Sequence, residues 1–210
     1  MLFRSQILPI DRNYLQVEIP NTVKSIGDGA FTNVQKVTFE KGSNLEYLGS
    51  NVFEHLYWPV TFPGTIQTIG VKPFNYVEGH SIDENGNGLR TIDGFVMSGS
   101  ELVAYFGNET NLSVDHFNKA GVESVRDYAF ENTSIQSIVI PDGVEWGLFP
   151  FKGCSKLKTV DFTKVSDIPD YLMGYSGLED IQIPSNIVTI GEKAFYKLDK
   201  IGRASCRERV

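Results

Sequence analysis

Apolar residues recur along this chain at fixed offsets. An aliphatic residue stands five positions before an aromatic residue or Met at Ile26/Phe31, Leu48/Phe53, Ile69/Phe74, Val125/Phe130, Ile168/Met173 and Ile190/Phe195, and Trp146/Phe151 keeps the same register. Successive second members lie 22, 21, 56, 21, 22 and 22 residues apart. Six units carry a further apolar residue three places before the first member, at Val23, Leu45, Ile66, Val122, Val165 and Ile187; in the Trp146 unit Val144 comes one place late. Each unit also holds an alternating apolar pair that predicts a short strand: Val17/Ile19, Val37/Phe39, Val60/Phe62, Leu112/Val114, Ile138/Ile140, Val160/Phe162 and Ile181/Ile183. Pro20, Pro63, Pro141 and Pro184 follow four of these pairs directly. Proline has no N–H to give a ladder and fixes φ, so it ends the strand and turns the chain. Gly27, Gly49, Gly70 and Gly191 follow the aliphatic member and read as residues that permit the next bend. A unit of about 22 residues with one strand and two turns cannot bury its apolar side alone. Stacked copies can, and the chain is predicted to be a solenoid.

The segment Val-Glu-Ile-Pro-Asn-Thr-Val-Lys-Ser-Ile-Gly-Asp-Gly-Ala-Phe (17–31) returns almost position for position as Ile-Gln-Ile-Pro-Ser-Asn-Ile-Val-Thr-Ile-Gly-Glu-Lys-Ala-Phe (181–195). This pattern resembles the BspA-type leucine-rich repeat over residues 15–200. Unit 37–53 departs from it by lacking the Pro, and unit 138–154 by the stretch Glu-Trp-Gly-Leu-Phe-Pro-Phe. The resemblance implies a mainly β fold, a curved leucine-rich-repeat solenoid of about seven 21–23-residue coils with a parallel sheet on one face and irregular turns on the other. It also implies binding, as in bacterial or protist surface proteins that adhere to host or neighbouring-cell components, and hence a cell-surface or secreted location.

The 56-residue interval holds an insertion over 78–111, in which 91–98 and 101–106 flank Gly99-Ser100 and predict a β-hairpin. Residues 1–14 read as a partial N-terminal segment with no recognisable cap. Solenoids shield their terminal coils, so the expected native array is longer. The final ten residues, 201–210, break the repeat and resemble the conceptual translation of a sequencing-adapter oligonucleotide, which marks them as a non-native tail.

Composition narrows the class. Leu, Ile, Val and Phe make up about three residues in ten of the 210, which excludes intrinsic disorder, and six Ala among many β-branched and aromatic residues favour strands. The net charge is −7; the tail contributes +2, which leaves −9 for residues 1–200. With no basic block, nucleic acid is excluded as a partner. No stretch approaches the roughly 18 apolar residues of a membrane span, and no signal peptide is visible. Two Cys are too few for a disulfide framework or a four-thiolate zinc site, and Cys206 belongs to the tail.

Candidate chemistry is sparse. Asp83-Glu84-Asn85-Gly86-Asn87-Gly88 matches the first half of a calcium loop, but the twelfth position falls on Gly94, so a polar turn is the better reading. His55, His80 and His116 sit at different places in different units, without metal-ligand spacing. Cys154 occupies a slot filled elsewhere by Val34, Leu56, Val77, Thr133, Ser176 and Leu198, so it reads as a small packing residue with an inert thiol. Sequons at Asn108, Asn111 and Asn132 are no more than composition supplies. Trp146 takes an aliphatic slot and reads as core, whereas Tyr57-Trp58 fits either core or an exposed patch.

The outward strand positions Glu18, Thr38, Thr61, Ser113, Val139, Asp161 and Gln182 form the predicted binding ladder. They are mostly uncharged and include no convergent acid, base and nucleophile, so no enzyme activity, cofactor or metal is expected. The expected function is a noncatalytic protein–protein interaction module of an adhesin-like surface protein, its partner a protein or another extracellular macromolecule. The alternatives are a structural spacer, or an appendage to a catalytic domain lying elsewhere. Binding predicts a contiguous exposed patch of aromatic or charged residues, and a spacer an even polar coat.

Overall fold

The computed structural model describes residues 16–198 apart from 33, 54–55, 57–59, 75–79 and 84–87. Six of the seven alternating pairs contribute to a first set of strands, which the unexpected β7 (His80–Ile82) joins: β1 (Gln16–Ile19), β3 (Lys36–Phe39), β5 (Val60–Phe62), β7, β11 (Asn111–Leu112), β13 (Ser137–Val139) and β15 (Thr159–Asp161). They pair in parallel as β1·β3, β5·β7 and β11·β13·β15, so this side is three ladders rather than one.

The opposite side differs from the irregular turns expected of it. The aliphatic slots sit on a second set of two-residue strands: β2 (Ser25–Ile26), β4 (Tyr47–Leu48), β6 (Thr68–Ile69), β12 (Ser124–Val125), β14 (Glu145–Trp146), β16 (Asp167–Ile168) and β17 (Thr189–Ile190). Two extended residues are enough for parallel pairing: Ile26 lies opposite Leu48, Leu48 opposite Ile69, and Ile168 opposite Ile190. In β2, β4, β6, β12 and β16 the aliphatic residue points inward and its predecessor toward solvent, the period-2 rule at its shortest; Trp146 is half-buried, and Ile190 in β17 is exposed. Two expected strands differ. Ile181/Ile183 lies in a segment without strand pairing, and of Leu112/Val114 only Leu112 is in a strand, β11, while Val114 opens the helix α1 (Val114–Ala120).

At Gly49, Gly70, Gly147 and Gly191 the glycine after the aliphatic slot has a reason other than bending, whereas Gly27 has open space beside it. None of Gly27, Gly49, Gly70, Gly147 and Gly191 has a positive φ. A Cβ on Gly147 would lie 2.5 Å from the backbone nitrogen of Asp127 and 2.8 Å from the carbonyl carbon of Arg126. The stack is close-packed there, backbone on backbone.

Within the 78–111 insertion, residues 90–105 form a partition, while His80–Ile82 extends the first strand set. β8 (Arg90–Ile92), β9 (Phe95–Ser98) and β10 (Glu101–Tyr105) form an antiparallel meander, with one more turn than the expected hairpin, at Asp93-Gly94. Both residues of that turn have positive φ (49° and 82°), the requirement of a tight hairpin connection. β10 pairs in parallel with β12, so the meander and β12·β14 make one five-stranded sheet, separate from β2·β4·β6. Phe95, Met97, Leu102 and Tyr105 pack into a C-terminal core, while Val96 and Val103 pack into an N-terminal one. A strand buried on both faces reads as a continuous apolar run, which is why Phe-Val-Met and Leu-Val-Ala-Tyr lack alternation.

Where the partition parts the coils, the glycine slot changes. Arg126 stands in that slot, and its guanidinium donates to the carbonyls of Ile69 and Gly70 (3.2 Å to Gly70) and pairs with Glu101 (Nε to Oε1 3.0 Å). It supplies donors that a directly stacked coil would otherwise give. Arg126→Met keeps the stem but strands these acceptors, so urea unfolding should show a loss of about 2 kcal/mol. An unchanged midpoint would contradict that role.

Candidate functional site

The ladder positions are only partly brought together. Glu18 lies opposite Thr38, and Val139 opposite Asp161. Thr61 lies opposite Ser81, their hydroxyls 3.0 Å apart. Ser81 belongs to the row and was missed; the alternation His80-Ser81-Ile82 is its signal. Ser113 has to be corrected, because it is not an outward strand residue. It is the N-cap of α1, half-buried, and its N–H donates to Nδ1 of His116 at 3.0 Å. The run from Ser113 through His116 to Gly121, whose φ is 69°, carries the start and stop signals of that helix. Gln182 is exposed on a segment without strand pairing. The Asp161 carboxylate is held below its usual pKa because it accepts the Thr163 N–H at 2.7 Å. Apart from Val139 the row is polar, with Thr61 bonded to Ser81 across the ladder and Asp161 to the Thr163 N–H.

The other candidates are absorbed by the fold or lie outside the described residues. Residues 84–87, His55, Tyr57-Trp58 and the 201–210 tail belong to the latter group. Asp93 pairs with Lys119 at 2.6 Å, and no cluster of three or more metal-ligating side chains occurs among the described residues. Trp146 is half-buried against Phe117 and Phe151, centroids 6.0 and 5.5 Å away. Cys154 is fully buried and its Sγ donates to the Phe130 carbonyl at 2.9 Å. Burial pushes its thiol from 9.0 up to about 11. The folded state therefore holds this proton more tightly, and the stability so contributed is complete below pH 9 and lost as pH rises toward 11. Peptide mapping after iodoacetamide treatment at neutral pH should find Cys154 unmodified in the folded chain and fully alkylated in urea. Rapid native alkylation would contradict its burial.

A surface the strand pattern did not point to lies along the turns. The third residue after each aliphatic slot has left-handed backbone: Gly29 (φ 64°), Asn51 (50°), Lys72 (50°), Tyr128 (62°), Phe149 (49°), Tyr171 (57°) and Lys193 (50°). A second such slot, two residues after the aromatic position, holds Asn132 (60°), Gly153 (71°), Tyr175 (59°) and Lys197 (47°). Hydrogen bonds between coils fix the first slot: the N–H of Asn51 donates to Val71 at 3.0 Å, of Tyr128 to Leu148 at 3.1 Å, and of Tyr171 to Glu192 at 2.9 Å. Early coils use Gly or Asn here, the residues that tolerate this conformation, and later coils use rings and lysines.

The result is a half-exposed stripe along the stack. Phe149 lies 6.1, 4.9 and 5.4 Å from Tyr128, Tyr171 and Tyr175, and Tyr175 lies 5.4 Å from Tyr196. The ammonium of Lys72 sits 3.8 Å above Tyr128, Lys193 5.4 Å from Tyr171, and Lys197 5.6 and 5.5 Å from Tyr175 and Tyr196. Lys152 lies between Tyr128 and Tyr175, at 5.5 and 5.9 Å. Glu131 binds Lys72 at 2.9 Å and Lys152 at 3.5 Å. Lys193 is held above its usual pKa by Glu192 and Tyr171. A left-handed slot held by Gly or Asn in one coil and by a ring in its relatives was the available signal.

A family model described as a BspA type leucine rich repeat region, in six copies, matches residues 11–105 and 103–202. The crystal structure of the pneumococcal vaccine antigen PcpA is similar with a TM-score of 0.68 and 22% identity, over 86% of this chain and 47% of that one. A leucine-rich cell surface protein from Faecalibacterium prausnitzii A2-165 is similar with a TM-score of 0.69 and 22% identity, over 89% of this chain and 52% of that one. This chain thus spans about half the length of either, and at that identity the likeness is one of fold. No curated relative matches the chain.

Proposed function

Because the chain belongs to the BspA-type leucine-rich repeat family, we propose that it is a noncatalytic interaction module of an adhesin-like cell-surface protein. The turn-side stripe is the observation that carries this reading. Rings and lysines at left-handed positions cost about 1 kcal/mol each relative to glycine, and a spacer with an even polar coat would have no use for them. Stacked coils offer an elongated surface of the kind repeat proteins use for macromolecules, and half-exposed tyrosines are effective anchors in interfaces. The surface location rests on the family and on the cell surface protein it resembles, and no helix among the described residues is long and apolar enough to cross a membrane.

The test is retention of the purified chain on a panel of immobilised extracellular-matrix proteins. The reading expects saturable capture by at least one of them. Capture no greater than that of a control with its surface residues scrambled would defeat it.

A further inference from the structure

We propose that the solenoid bends at one joint, between residues 16–89 and 90–198, and that Lys72 and Arg126 latch it. Elsewhere backbone hydrogen bonds tie each coil to the next. The Gly49 N–H donates to Ile26 and the Gly70 N–H to Leu48 in the first part, and Gly147 to Val125 and Gly153 to Tyr175 in the second. Among the described residues no backbone hydrogen bond joins the two parts, and neither β6 nor β7 pairs with a later strand. The chain itself crosses once. The N–H groups of Gly88 and Leu89 donate to Gly64 and Ile66, both at 2.8 Å, whereas Arg90 pairs with Met97 in the meander.

Side chains stand in for the missing backbone bonds. The Gln67, Ile69 and Gly70 carbonyls line the outer edge of β6; the equivalent carbonyls of the preceding coil, Glu46 and Leu48, accept backbone N–H groups. At the joint they accept instead from the Ser98 hydroxyl (3.4 Å) and the Arg126 guanidinium. Beside them the Lys72 ammonium lies 2.9 Å from the Glu131 carboxylate and 3.8 Å above the Tyr128 ring, with both charged side chains mostly buried. The apolar seam is thin. The meander places Phe95, Met97, Leu102 and Tyr105 in the C-terminal core, but of its buried side chains only Val96 and Val103 enter the N-terminal one, with Ala104 and Phe106 packed beside them. It therefore moves with the second part. A small, polar contact between two parts of a chain leaves relative motion as the expected behaviour, and a single backbone crossing is the geometry of a hinge. Lys72 and Tyr128 are successive members of the turn-side stripe, so bending changes its spacing at that step alone.

Spin labels at Thr38→Cys and Thr159→Cys test this in a Cys206→Ser background. Both sites are exposed, one in each part, and about 24 Å apart along the stack at about 4.8 Å per coil. Pulsed electron resonance should give one narrow distance distribution in the parent. Lys72→Met with Arg126→Met should widen it at least about twofold, while far-ultraviolet circular dichroism is unchanged and buried Cys154 stays unlabelled. Lys24→Met, which removes the Lys24–Glu46 pair (3.6 Å) inside the first part, should leave the width as it is. If the double variant loses its fold, Glu131→Gln, which keeps the shape and removes the charge, is read in its place and should widen the distribution at least about 1.5-fold. An unchanged width in the folded latch variant overturns the inference, and so does equal widening by Lys24→Met.

Discussion

Phe130→Ala should cost about 4 kcal/mol of unfolding free energy. Phe130 is fully buried where the partition meets the C-terminal core. Its ring lies 6.1, 5.6, 6.3 and 5.0 Å from those of Phe95, Tyr105, Phe117 and Phe151. Removing it opens a cavity among rings on three elements, which cannot all collapse inward without moving the meander. In urea, with a slope of about 2 kcal/mol/M, the midpoint should drop by about 2 M. Hydrogen exchange should accelerate most over the C-terminal core, because Val96 and Val103 belong to the other one. A loss below about 1 kcal/mol would mean that the partition does not pack as described.

Gly147→Ala should be nearly as damaging, at about 3 kcal/mol, although it adds a single methyl group. The new Cβ would stand 2.5 Å from backbone, which cannot rotate away as a side chain would. The coil would have to lift, stretching the bond from the Gly147 N–H to the Val125 carbonyl (2.7 Å) and that from Leu148 N–H to the Asp127 carboxylate (2.6 Å). Thermal unfolding should show the loss as a clearly lowered midpoint, while Thr38→Ala on the exposed strand face stays within about 0.5 kcal/mol of the parent. Equal behaviour of the two variants would remove the close-approach explanation of the glycine slot.

The repeat was legible because burial repeats. Ile26, Leu48 and Ile69 occupy equivalent inward positions, and nothing else satisfies all of them. The second set of parallel pairings was not, since two-residue strands leave no alternation to read. Both turns of the meander were legible, Gly99-Ser100 and the Asp-Gly pair at 93–94, which is a strong hairpin signal; the expectation of one unbroken strand over 91–98 passed over the second. Helix α1 escaped because Leu112 and Val114 mimic a strand pair, and Ser113, read as part of the ladder, proved to be the helix cap. The stripe was invisible to a period-2 reading, because it is built from backbone handedness in the turns. Only the exchange of Gly29 and Asn51 for Lys72, Tyr128, Phe149, Tyr171 and Lys193 at one slot records it.

The claim that the turns, rather than the strand face, are the interaction surface is tested most directly by two paired charge variants read on the matrix-protein panel. Lys193→Glu with Lys197→Glu alters the stripe, and Thr38→Glu with Thr61→Glu alters the exposed strand ladder. The account predicts that the first pair weakens capture at least about tenfold and that the second leaves it within about twofold. Loss of capture in the strand-face pair, with the stripe pair unaffected, would contradict it.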